Sequence, residues 1–236
     1  MQTHWKNIKI EYPTTEQELV NLIIKSLDDK GNKILDFFGL ENSKDFKIKI
    51  YETREAYIEH ILPFLEGRPY QDWMTADTDD GNINMLPLKF VTQIKGREND
   101  TNELLAYDAC HEFVHICQQT RIKSNDCTNH DVWFWEALAT NLGNPEAFDH
   151  VDNNFEKYNL TDLESIDYLN TNFETFNKSY PYSYLLGKFM LANYPHSQLL
   201  DYIDHPDKLL KDEKSILADA QKYFNEKHIQ EEKCSE

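Results

Sequence analysis

One stretch of this chain leaves little choice about its surroundings. Val132-Trp133-Phe134-Trp135-Glu136-Ala137-Leu138-Ala139 reads as a helix that is apolar on every side except at one carboxylate. A helix of that kind belongs inside a core. An ionised carboxylate in such company is expensive unless it is paired or bound to a cation, so Glu136 asks for a partner. The chain is long enough to supply the core: 236 residues, 40% hydrophobic and 28% charged, can bury one sizeable core or two tightly joined lobes. Only 7 Gly and 8 Pro stand beside 13 Phe, 13 Tyr and 4 Trp, which describes a compact, helix-rich protein. Intrinsic disorder, collagen-like repeats and a loop-dominated all-β fold are excluded on the same grounds.

Periodicity places the other elements. Thr15 and Glu18 form a capping-box signature, and Leu19, Val20, Leu22, Ile23, Ile24 and Leu27 continue at helical spacing toward Gly31. Phe46, Ile48 and Ile50 alternate with Lys47, Lys49 and Tyr51, the period of a half-buried strand. Ala56, Ile58, Ile61, Leu62 and Leu65 return to helical spacing. Between Trp73 and Phe90 a hairpin is expected around Asp80-Gly81, with Pro87 suggesting an edge strand. Asp100 with Glu103 should cap a helix running to about Gln119. A polar connection from Arg121 to Asp131 leads to the helix Val132 to Leu142, terminated by Gly143, Asn144 and Pro145. Further helices are expected over 145–158, 161–169, 182–194, 196–203 and 212–231. The expected fold class is α+β and predominantly helical: one catalytic domain over 1–236, with a small mixed sheet lobe (1–120) and a helical lobe (121–236).

The segment expected to carry chemistry is His111-Glu112-Phe113-Val114-His115, an HExxH pattern. Residues four apart on a helix lie one turn above each other, so both imidazoles can reach one ion, and zinc suits such a pair. Glu112, adjacent on the helix, can reach a metal-bound water without ligating the metal, the position of a general base. Glu136 follows His115 across one turn-rich connection. Two antiparallel helices would bring it beside the histidines and give one zinc ion three protein ligands, His111, His115 and Glu136, with a fourth position for water. That is the arrangement of a catalytic zinc site.

HEFVH followed at this distance by WFWEALA resembles the gluzincins, the thermolysin-like zinc metallopeptidases that include aminopeptidase N. The resemblance implies a zincin-like fold with the zinc helix between its lobes, His111, His115 and Glu136 as ligands, Glu112 as general base and proton shuttle, and a peptide or protein substrate. It also implies a strand before the zinc helix that pairs with extended substrate, for which Asn82 to Leu88 is the candidate. A tyrosine at the start of a later helix would stabilise the oxyanion: Tyr180 is preferred, with Tyr184 second. Two departures stand out. The G-x-M-E-N motif that grips a free amino terminus is absent, since the comparable region reads Gly81-Asn82-Ile83-Asn84-Met85, which favours an endopeptidase or a narrow peptide-processing enzyme. Thr140 stands where thermolysin-like enzymes carry an Asp that orients a histidine, leaving Asp108 and Asn141 as substitutes. The alternative is a catalytically silent zinc-binding or regulatory protein of the same fold, and a non-peptide amide is a third possibility.

The remaining features exclude more than they assign. A formal charge of -18, from 24 Lys+Arg against 42 Asp+Glu, repels phosphate backbones and anionic lipid, so neither nucleic acid nor a membrane is an expected partner. Residues 1–13 carry no apolar export signal and no apolar run approaches a membrane span, so a soluble, cytoplasmic protein with reduced thiols is expected. Cys117, Cys127 and His130 lack metal-knuckle spacing, and Asp77, Asp79 and Asp80 before Gly81 read as a solvated turn rather than a calcium loop.

Overall fold

The computed structural model describes residues 1–65, 67, 69–78, 80–122, 132–152 and 173–235. Among them the fold is mixed α+β and predominantly helical, with one five-stranded sheet. The chain divides into two units, one formed by Met1–Asp126 with Leu142–Glu146, the other by Cys127–Asn141 with Ala147–Glu236.

The first unit holds the sheet. Strands β1 (Gln2–Trp5) and β2 (Ile8–Glu11) form an antiparallel hairpin. Helix α1 (Gln17–Phe38) then leads to β3 (Lys47–Ile50), which pairs parallel with β2. Helix α2 (Arg54–Ile61) leads toward β4 (Ala76–Asp77) and β5 (Ile83–Met85), an antiparallel pair whose β5 lies parallel to β3. The strand order is β1-β2-β3-β5-β4. A short helix α3 (Leu88–Val91) precedes α4 (Asn102–Ile122), which packs along α1. Alternation in β2 and β3 buries Ile8, Ile10, Ile48 and Ile50, and Phe113 of α4 meets Trp5 edge-on and lies against Phe46.

The expected hairpin around Asp80-Gly81 and the Phe46 strand are present, and five local features differ from the sequence reading. The β1–β2 hairpin goes unsignalled in the sequence, where short polar alternation masks it. Helix α1 runs through Gly31 to Phe38 and stops at Gly39, whose φ of 65° is left-handed. Its N-terminus is a 3₁₀ turn at Thr14–Glu16 with no side-chain cap, so the Thr15–Glu18 capping box does not form. Strand β5 is paired on both sides, by β3 and β4, so Asn82 to Leu88 is no free edge for substrate. Pro87 lies beyond the strand, at the start of α3, where its fixed φ suits a helix entrance.

The second unit is helical: α5 (Val132–Leu142), α6 (Asp149–Asp152), α7 (Phe173–Asn193), α8 (His196–Asp204) and α9 (Pro206–Ser235). The apolar α5 helix is buried as expected, with Phe134 edge-on to Tyr202 and the Trp133 indole donating to Glu213 Oε1 at 2.8 Å. The helix expected over 161–169, and residues 153–158 of the one before it, lie outside the described residues. No helix among the described residues is long and apolar enough to cross a membrane.

Candidate metal centre

His111, Glu112 and His115 lie in the middle of α4. One turn apart, the two imidazoles meet edge to face with centroids separated by 4.9 Å, and their Nε2 atoms are 3.2 Å apart. The groups behind them determine which nitrogens carry hydrogen. His111 Nδ1 lies 3.1 Å from Asn144 Oδ1, while Asn144 Nδ2 donates to Asp108 Oδ1 at 3.1 Å. A carboxylate only accepts, so the amide nitrogen must face Asp108 and the amide oxygen must face the ring. His111 Nδ1 therefore carries the hydrogen and donates it. His115 Nδ1 lies 2.7 Å from Oε1 of the buried Gln118 and donates likewise. With Nδ1 of each ring turned to an amide oxygen, the two Nε2 atoms face each other, the arrangement of a pair that can share a cation.

This support is anchored several residues deep. Arg97 donates through Nη2 to Asp108 Oδ2 at 2.8 Å, through Nε to Asp100 Oδ2 at 2.6 Å and through Nη1 to Thr75 Oγ1 at 2.7 Å. Burial works against the Arg97 charge, but Asp108 and Asp100 more than offset it and hold the guanidinium protonated. Asn144 comes within reach because Lys30 of α1 captures the segment around it, donating to Gly143 O at 2.9 Å and Glu146 Oε2 at 2.6 Å. Glu112 is buried on the same helix. Glu136 is partly exposed on α5, between buried Trp135 and Ala137. His111 and His115 belong to the first unit and Glu136 to the second.

No family model, curated protein or solved structure matches this chain. The chemistry of the centre rests on its own atoms. Two imidazole nitrogens one helical turn apart make a donor pair whose chemistry suits zinc, and a carboxylate oxygen would be a compatible third ligand.

The tyrosines expected at a helix start are placed otherwise. Helix α7 begins at Phe173 and carries Pro181 within it, so Tyr180 and Tyr184 both sit inside the helix. Tyr184 is buried with its ring stacked on Phe148 at 5.1 Å, a packing role. Tyr180 is partly exposed. Of the substitutes for the missing aspartate, Asp108 reaches His111 through Asn144, which the sequence marks as a helix stop. Asn141 instead donates to Ala137 O and Tyr184 O, and Thr140 to the backbone of its own helix. Cys110 and Cys117 are both buried, and burial pushes the Cys110 thiol up to about 12 and raises that of Cys117 as well, so neither is poised to react. Cys127, His130 and Asp79 lie outside the described residues. Asp77 is buried, in place of the solvated turn expected there.

Proposed function

We propose that this protein is a zinc-dependent hydrolase of peptide bonds, with a gluzincin-type centre in a zincin-like fold. The observation that carries the reading is the pair of imidazole Nε2 atoms 3.2 Å apart on successive turns of α4, with an amide oxygen behind each ring. His111, His115 and Glu136 would hold the ion. When bound, zinc supplies Lewis acidity, which polarises the scissile carbonyl and lowers the pKa of a bound water. Glu112, outside the ligand set, accepts the proton of the attacking water and passes it to the leaving amine. Asn144 and Gln118 keep the two rings in the required tautomer and orientation. Tyr180 offers a phenol donor to the developing oxyanion, a role that rests on the gluzincin resemblance alone. With no amino-grip motif, the substrate is an internal peptide bond or a narrow set of peptides.

A peptide-library digest with and without chelator, on Glu112→Gln beside wild type, tests the proposal. Hydrolysis by wild type alone, with equal metal content in both proteins, is the expected result. Equal inertness of two metal-loaded proteins overturns it in favour of a zinc-binding module without turnover.

A further inference from the structure

A second group of metal-ligating side chains lies apart from the HExxH histidines, in the first unit. His60 at the end of α2, Asp77 of β4 and Asp80 in the β4–β5 turn each offer a ligand atom within 4.8 Å of the others. His60 Nε2 lies 3.8 Å from Asp80 Oδ2 and 4.0 Å from Asp77 Oδ1. Those separations exceed a hydrogen bond and approach the ~3.4 Å that two donors with bonds of about 2.1 Å keep around one tetrahedral ion.

A further observation points to a missing ligand. His60 Nε2 is buried and has no hydrogen-bond partner among the described residues. Tyr57 is fully buried with its hydroxyl facing Asp77. The rest of the cluster is already shaped. Asn84 Nδ2 donates to Asp77 Oδ1 at 3.2 Å and to Asp80 Oδ1 at 3.0 Å, and Asn82 donates to Asp80 through its backbone and side-chain nitrogens at 2.9 and 3.0 Å. These bonds aim both carboxylates and fix the turn. Burial lowers the His60 pKa. A cleft of about 680 Å³ borders His60 and is lined by Glu11, Glu52 and Glu59 with Lys49, giving a cation a predominantly acidic approach.

We propose that His60, Asp77 and Asp80 bind a divalent transition-metal ion of the zinc or manganese class, tying α2 to the β4–β5 turn. One imidazole and two carboxylates suit such an ion better than calcium, which prefers an all-oxygen shell. The site is independent of the hydrolase centre in its ligands.

The test is metal stoichiometry after chelator stripping and equilibrium dialysis of the full chain against Zn2+, and separately against Mn2+ followed by its free-ion spin-resonance signal. Wild type should hold two equivalents of Zn2+, and His60→Gln and Asp80→Asn one each. His111→Gln/His115→Gln should keep one equivalent and still melt at a higher temperature with Mn2+ than without it. Wild-type stoichiometry in both His60→Gln and Asp80→Asn, or no bound ion in His111→Gln/His115→Gln, overturns the proposal. Failure of the hydrolase centre reads differently: His60→Gln and Asp80→Asn would then bind none while His111→Gln/His115→Gln still binds one.

Discussion

At the scale of single residues, the centre is decided by which nitrogen of each histidine carries hydrogen. Asn144 fixes this for His111, and Asp108 with Arg97 fixes Asn144. Asn144→Ala should therefore weaken zinc binding by about 10–100-fold while the HExxH residues remain intact, measured by competition with a chromophoric chelator. Unchanged affinity would mean that the amide does not orient the ring. Glu112→Gln should lower kcat by about 10²–10⁴-fold with little change in metal content, because it removes a proton acceptor and no ligand. The HExxH spacing and the isolated Glu136 were legible because helical periodicity is local. Asn144 was not, since its role arises 33 residues from the histidine it supports. His60 was equally silent, because no spacing rule links it to Asp77 and Asp80.

At the scale of elements, two glycines mark where helices come closest to their neighbours. In α1, a Cβ on Gly31 would lie 2.8 Å from the Trp5 ring, and the Trp5 indole is held in place by Asp28 at 2.8 Å. In α7, a Cβ on Gly187 would lie 2.3 Å from the backbone oxygen of Ala137 in α5. Alanine at an ordinary helix interior position stabilises by about 0.5–1 kcal/mol relative to glycine. Here the sign reverses. Gly187→Ala should destabilise by about 3 kcal/mol or more, since backbone cannot move aside as a flexible side chain can, and Gly31→Ala by about 1–3 kcal/mol. Urea midpoints measure both, and a rise in either midpoint would refute the close approach. The sequence offered Gly31 as a helix end; the structure gives it, and Gly187, a packing reason.

At the scale of the whole molecule, the charge of -18 sets what the surface meets. The protein should show no retention on double-stranded DNA even at about 50 mM salt, where electrostatic attraction is strongest, and retention there would expose a basic patch hidden in the net charge. Chelator should abolish peptide hydrolysis and added Zn2+ should restore it; activity that survives chelation, with the metal shown to be removed, contradicts a zinc mechanism. The sequence by itself determined a helix-rich α+β chain, the two histidines sharing one turn of helix, and a carboxylate too costly to bury alone, because each follows from local periodicity and desolvation. Only tertiary structure decided the strand order that closes β5 between two neighbours, the Arg97–Asp108–Asn144 chain behind His111, and the meeting of His60 with two aspartates. Those depend on side chains far apart in sequence, and it is the burial of competing apolar surface that brings them together.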